Sequence, residues 1–173
     1  MKKEIRFVGF GGQGIILAGV ILGEAATRAG YKAVQTQSYG PESRGGAARS
    51  EVVISSEPID YPRVNEADVV VALSQEGFEK YGKGLGDGAE VIVDSDLIEA
   101  EGVRSLPFTK TAEKVGYKIV SNIVMLGYLG ALLDVVPFET LEETVVANIP
   151  KGTEALNTKA LAAGRALYEE HAG

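Results

Sequence analysis

The chain reads as one α/β domain: a three-layer, Rossmann-like fold with a mostly parallel (mixed) central sheet and a helical C-terminal third. Three observations predict it. An apolar strand at residues 5–8 runs straight into Gly9-Phe10-Gly11-Gly12-Gln13-Gly14 and then into Ile15-Ile16-Leu17-Ala18-Gly19, which is strand, glycine turn and helix. Two continuous apolar runs, Val69-Val70-Val71-Ala72-Leu73 and Val91-Ile92-Val93, have the pattern of strands covered on both faces. With 173 residues and 45% hydrophobic content there is volume for one three-layer core, so residues 1–173 are expected to form a single domain.

The elements follow in chain order. Residues 15–29 are apolar on nearly every side, with Gly19, Gly23 and Ala26 as small residues on one face, so the first helix lies deep against the sheet. Gly30 stops it. Residues 31–38 alternate as a second strand and residues 49–56 alternate again, and the short connection between them makes the pair antiparallel. Residues 75–83 form a short crossover helix between the two buried strands, followed by a glycine-rich exit at residues 82–88. A short strand at residues 103–108 and a turn of helix at residues 111–115 come next. The apolar region 119–133, interrupted by Ser121, Asn122 and two glycines, is shorter than the roughly 20 residues of a membrane span, and residues 121–133 read as a buried helix. Pro137 opens another helix, with Glu139, Glu142 and Glu143 in the first turns, where the helix dipole favours acids. Residues 153–169 close the chain as an amphipathic helix carrying Leu156, Leu161 and Leu167 among alanines.

Composition excludes several function classes. The formal charge is -7 and no stretch is rich in Lys or Arg, which argues against a nucleic-acid or anionic-membrane surface. With no cysteine, the chain has no disulfide, no thiolate nucleophile and no cysteine-held iron-sulfur cluster. No cationic leader precedes the first strand, so a cytoplasmic address is expected.

The chemistry-bearing residues gather at the first turn. Gly9, Gly11 and Gly14 have the spacing G-x-G-x-x-G, which lets a backbone be approached closely, and the helix start offers unpaired N–H groups to an anion. A dinucleotide fold would carry an Asp or Glu about 20 residues further on; here the second strand reads Ala33-Val34-Gln35-Thr36-Gln37-Ser38, with no carboxylate. The turn therefore either meets an anionic ligand other than NAD or serves helix–sheet packing alone. The loop Tyr39-Gly40-Pro41-Glu42-Ser43-Arg44-Gly45-Gly46 leaves the C-terminal edge of that strand, where open α/β sheets bind ligands. Candidate binding residues are accordingly Gly11, Gly12, Gln13 and Gly14 of the turn and Tyr39, Arg44 and Gly45 of the loop. Arg44 either serves a phosphate or partner chain or pairs with Glu42 in a solvated loop.

No catalytic set is visible. His171 reads as a solvated tail residue, Asp94 and Asp96 lack a third metal ligand and read as caps, and Asp68 reads as a turn or cap. Tyr117 and Lys118 are adjacent and do not form the Tyr-x-x-x-Lys pair of a short-chain dehydrogenase. The chemistry is expected in partners.

Taken together, the glycine turn, Ser38-Tyr39-Gly40-Pro41-Glu42-Ser43-Arg44-Gly45-Gly46, Ala67-Asp68 before a Val-rich strand, and Asn122 with Leu126-Gly127 on a late helix resemble the gamma subunit of 2-oxoacid:ferredoxin oxidoreductases along essentially the whole chain. The resemblance implies a multi-subunit enzyme that oxidatively decarboxylates a 2-oxoacid, with 2-oxoglutarate the expected substrate and a branched-chain 2-oxoacid the alternative, to an acyl-coenzyme A, and passes the electrons to ferredoxin. It implies thiamine diphosphate in alpha and beta subunits, iron-sulfur clusters in a cluster-bearing subunit, coenzyme A as co-substrate, and no cofactor held by this chain alone. Two other readings stay open from the residues themselves: a stand-alone nucleotide- or coenzyme A-binding module, and a free NAD(P) or flavin oxidoreductase. A related domain in indolepyruvate enzymes shares the resemblance.

Overall fold

The computed structural model describes residues 1–38 and 46–172. Six strands, β1 (Lys2–Phe10), β2 (Lys32–Gln37), β3 (Ala47–Ser55), β4 (Val69–Ala72), β5 (Glu90–Asp94) and β6 (Arg104–Leu106), form one sheet in the order β2-β3-β1-β4-β5-β6. The run from β1 through β4 and β5 to β6 is parallel, and β3 is antiparallel to both β1 and β2. The helices are α1 (Ile15–Arg28), α2 (Gln75–Tyr81), α3 (Phe108–Val115), α4 (Ser121–Leu133), α5 (Phe138–Asn148) and α6 (Glu154–His171).

The mixed sheet agrees with the expected fold class, but its order departs from an ordinary Rossmann half. The second strand is not the neighbour of the first. β3 lies between them and pairs with β1 along its full length, from Lys2↔Ser55 to Phe10↔Ala47. Burial explains the choice: β3 is buried at every position except Arg49, whereas β2 carries Lys32, Gln35, Thr36 and Gln37 and has no buried residue. The apolar strand takes the interior and the polar one takes the edge, where its unpaired side meets water.

The two outer layers are unequal. On one face, Phe7, Val52, Ile54, Val71 and Ile92 pack under residues of α1 and α3 to α6, among them Ile21, Leu22, Phe108, Leu126, Val145 and Leu161. On the other, α2 is the only helix among the described residues: Phe78 covers Val8, Ala72 and Val93, while Val64, Ala67 and Leu85 from connecting segments cover Val53 and Val70. Beneath this thin layer lies a buried ion pair. Arg6 Nε donates to Glu51 Oε2 at 2.7 Å, Nη2 approaches the same oxygen at 2.5 Å, and Nη1 donates to the Tyr81 carbonyl at 3.1 Å. The pair ties β1 to β3 and to the end of α2, and a lone charge left there would be costly.

On the thick face α4 is apolar all round, as a buried helix should be, and it crosses α6 at backbone contact. A Cβ on Gly127 would overlap the Leu161 carbonyl, and one on Gly164 would overlap the Val124 carbonyl. The helix spans Ser121–Leu133, the bounds expected from the sequence; a 3-10 turn (Lys118–Val120) precedes it, and Ile119, the first residue of the apolar region, is 75% exposed.

Candidate functional site

The chain leaves β1 at Phe10 and must reverse onto the sheet to start α1. Gly12 (φ 95°) and Gly14 (φ 75°) supply the two left-handed residues that this turn requires. Gln13 then fixes it. Its Oε1 accepts from the Phe10 N–H at 2.6 Å and its Nε2 donates to the Leu73 carbonyl at 2.7 Å, so one carboxamide joins the ends of β1 and β4. The Gly14 carbonyl accepts from Asn122 Nδ2 at 3.2 Å, and any Cβ at Gly14 would collide with that amide. The starts of α1 and α4 therefore stand side by side. Neither has an acid in its first turn or a side-chain cap.

Two more helices begin at the same sheet edge and are satisfied internally. Ser74 caps α2 through the Gly77 N–H at 3.0 Å. Asp94 Oδ2 accepts from the Thr109 N–H at 3.2 Å and from the Thr109 hydroxyl at 2.5 Å, and Asp96 Oδ2 accepts from the Lys110 N–H at 2.8 Å, so both carboxylates cap α3. Asp94 Oδ1 also accepts from the Asp96 N–H at 3.1 Å, closing the turn after β5. The Asp94 side chain is fully buried, and desolvation raises its pKa above the ordinary aspartate value despite the Thr109 hydrogen bonds.

Between these starts lies a crevice of about 390 Å³ lined by Gly12, Gln13, Leu97, Thr109, Lys118, Ile119 and Ser121. Its walls are mainly apolar. Leu97 and Ile119 are 45% and 75% exposed, and Tyr117, next in the chain to Lys118, is 67% exposed. Such a concentration of exposed apolar side chains at the ligand edge of an α/β sheet suits contact with a ligand or another chain. Among the described residues no group of three His, Cys, Asp or Glu side chains could hold a metal.

Residues 4–167 match the family model of pyruvate ferredoxin/flavodoxin oxidoreductase. The chain belongs to that family. It is 50% identical to the 2-oxoglutarate synthase subunit KorC of Methanocaldococcus jannaschii, over 98% of this chain and 96% of the relative. Among solved structures it is similar to the gamma subunit of a keto/oxoacid ferredoxin oxidoreductase from Geobacter sulfurreducens, with a TM-score of 0.86, 43% identity and 98% of each chain covered. A 2-oxoglutarate:ferredoxin oxidoreductase from Magnetococcus marinus, solved with 2-oxoglutarate, coenzyme A and succinyl-CoA bound, matches 98% of this chain at a TM-score of 0.86 and 28% identity, through 31% of its own chain.

Of the residues singled out by sequence, Gly12 and Gln13 line the crevice, Gly14 forms its junction with α4, and the Gly11 N–H donates to the Gly46 carbonyl at 3.3 Å. That last bond ties Gly46, the residue before β3, to the glycine turn. Tyr39, Arg44 and Gly45 lie outside the described residues. Leu97, Thr109, Lys118, Ile119 and Asn122 went unrecognised as site residues. Asn122 alone had a signal, since it belongs to the motif that carries the family resemblance. Asp68, expected as a turn or cap, instead ties the start of β4 to β1: its Oδ2 accepts from the Glu4 N–H at 2.7 Å and its own N–H donates to the Glu4 carbonyl at 2.8 Å. His171 is exposed but is the last residue of α6, with its Nδ1 2.9 Å from the Leu167 carbonyl, rather than a frayed tail.

The geometry separates two glycines that the spacing treats alike. Gly14→Val combines a left-handed backbone with a collision against Asn122, whereas Gly12→Val meets open space and bears only the backbone strain. Both variants should destabilise the chain, Gly14→Val more, by about 3 kcal/mol for the collision and strain together; equal urea midpoints for the two would contradict this. A second expectation concerns pH. Because the folded pKa of Asp94 is raised, its favourable contribution is complete below its unfolded value of about 3.9 and is lost as pH rises through the folded value. The stability of the wild type relative to Asp94→Asn should therefore fall as pH is raised from about 4 towards 7, and parallel pH profiles would refute the assignment.

Proposed function

We propose that the chain is the gamma subunit of a 2-oxoglutarate:ferredoxin oxidoreductase, and that the crevice at Gly12 and Gln13 is where it meets the remainder of the enzyme. The observation that carries the reading is the 50% identity to a 2-oxoglutarate synthase subunit over nearly the full length of both chains. The reaction converts 2-oxoglutarate and coenzyme A to succinyl-CoA and carbon dioxide, and the two electrons released reduce ferredoxin. Thiamine diphosphate, in alpha and beta subunits, supplies the decarboxylation chemistry. Clusters in a further subunit carry the electrons, since this chain has no cysteine with which to hold one.

What this chain contributes is position. The Gln13 clamp and the Asn122 contact hold a mostly apolar surface, with Lys118 at its border, in a fixed relation to two helix starts that lack acids. That combination suits an anionic, partly apolar group such as coenzyme A at an interface with the catalytic subunits. The relative from Magnetococcus marinus was solved with coenzyme A bound and matches this chain through about a third of its own length, which favours a site completed by neighbouring domains. In this reading Arg44 and Tyr39 of the adjoining loop serve the same ligand or the partner chain.

A free NAD(P) oxidoreductase is disfavoured by topology. The strand that would present a ribose-binding carboxylate beside the glycine turn is replaced there by antiparallel β3, which starts at Ala47 and Ala48. No helix among the described residues is long and apolar enough to cross a membrane, and we place the enzyme in the cytoplasm.

Purified by itself, the chain should be colourless and show no 2-oxoglutarate-dependent reduction of a viologen dye, and activity should appear when the thiamine-binding and cluster-bearing subunits are added. Arg44→Ala in the assembled enzyme should then either raise the KM for coenzyme A by about tenfold or more, or release the subunit on size exclusion, as loss of a buried charge pair does. Turnover by the isolated chain would overturn the proposal.

A further inference from the structure

We propose that a second cavity, beside the edge strand β2 and on the opposite side of the sheet from α1, binds the phosphate group of a small phosphorylated molecule through Arg49 and Arg63. It is separate from the crevice at the glycine turn and does not depend on the subunit assignment.

The pairing of the arginines carries this inference. Arg6, Arg28, Arg104 and Arg165 each lie against a glutamate: Glu51, Glu24, Glu90 and Glu169 respectively. Among the described residues Arg49 and Arg63 have no carboxylate partner, and both line one cavity of about 390 Å³ together with Gln35, Thr36, Gln37 and Glu51. In a chain of net charge -7, carboxylates are plentiful. Two guanidinium groups without a carboxylate partner among the described residues line one space, and an anion there would supply the missing counter-charge.

The remaining lining fits the same ligand. Glu51 adds no net negative charge, because Arg6 contacts it at 2.5 and 2.7 Å. The Arg49 guanidinium carbon lies over the Tyr81 ring, 5.0 Å from its centroid, a cation–π contact that holds the group in place without neutralising its charge. The Thr36 hydroxyl supplies a neutral donor. The position of Arg49 is set by the sheet: it lies opposite Val8 in the β1 register, and its own N–H donates to the Ser38 hydroxyl at 3.1 Å. Arg63 comes from the segment between β3 and β4 that covers the same face. The cavity is of small-molecule size and larger than a phosphate group alone, so it has room for the body of an ester. Two forked donors suit a dianionic phosphate better than a single carboxylate.

Calorimetric titration of the full chain at constant ionic strength tests this, with inorganic phosphate, glycerol 3-phosphate and adenosine 5′-monophosphate as probes. Saturable binding is expected for at least one, with Arg49→Gln and Arg63→Gln each weakening it about tenfold and the double variant abolishing it. Arg63 is exposed, so Arg63→Gln should retain the wild-type melting temperature and separate loss of binding from loss of fold. An ester that binds more tightly than inorganic phosphate identifies a phosphorylated metabolite as the ligand; equal affinities identify free phosphate. No saturable binding by any probe, or binding that survives in the double variant, overturns the proposal.

Discussion

One side-chain amide holds the functional end of this protein together. Gln13 accepts from the Phe10 N–H and donates to the Leu73 carbonyl, and so locks the glycine turn across the ends of two central, parallel strands. Each such bond contributes about 1 kcal/mol, but the geometric consequence is larger. With the turn fixed, α1 can start only where it does; Gly14 then lies against Asn122, and α4 is set beside it. Through the glycine contacts of Gly127 and Gly164, α4 in turn fixes α6. The crevice is the space left between these starts.

The uneven layers follow from where the chain spends its apolar residues. Among the described residues α1 and α3 to α6 cover one face and α2 the other, so the thin face relies on connecting segments and on the Arg6–Glu51 pair. This distribution leaves polar and charged side chains available beside β2, including Arg49 and Arg63. It also leaves apolar side chains exposed at the opposite corner, around Ile119. A protein that functioned alone would have little reason to expose Leu97, Tyr117 and Ile119 together, whereas a subunit of a larger enzyme has a direct one.

Much of this was legible in the sequence, for identifiable reasons. The boundaries of α1 were clear because glycines mark both its ends, and β4 and β5 were clear because continuous Val and Ile runs signal two covered faces. Capping by Asp94 and Asp96 was anticipated, though their bonds reach α3, well beyond the local turn. What stayed hidden was long-range. Alternation reports which face a residue takes but not which strand lies beside it, so the insertion of β3 between β1 and β2 could not be read. The Arg6–Glu51 pair spans 45 residues, and the exposure of Ile119 depends on how the 3-10 turn before α4 packs against distant parts of the chain. The crevice likewise draws its walls from distant segments. The loop at residues 39–45, which supplied three of the candidate residues, lies outside the described part of the chain.

The central claim is that the surface around the glycine turn is buried when the oxidoreductase is assembled. Hydrogen–deuterium exchange, comparing the chain alone with the same chain in the complete enzyme with coenzyme A, addresses it directly. The account predicts increased protection of the amides at residues 11–16 and 117–122, while amides on the far helices α5 and α6 keep their exchange rates. Unchanged exchange at both of those segments, with protection appearing elsewhere, would contradict it.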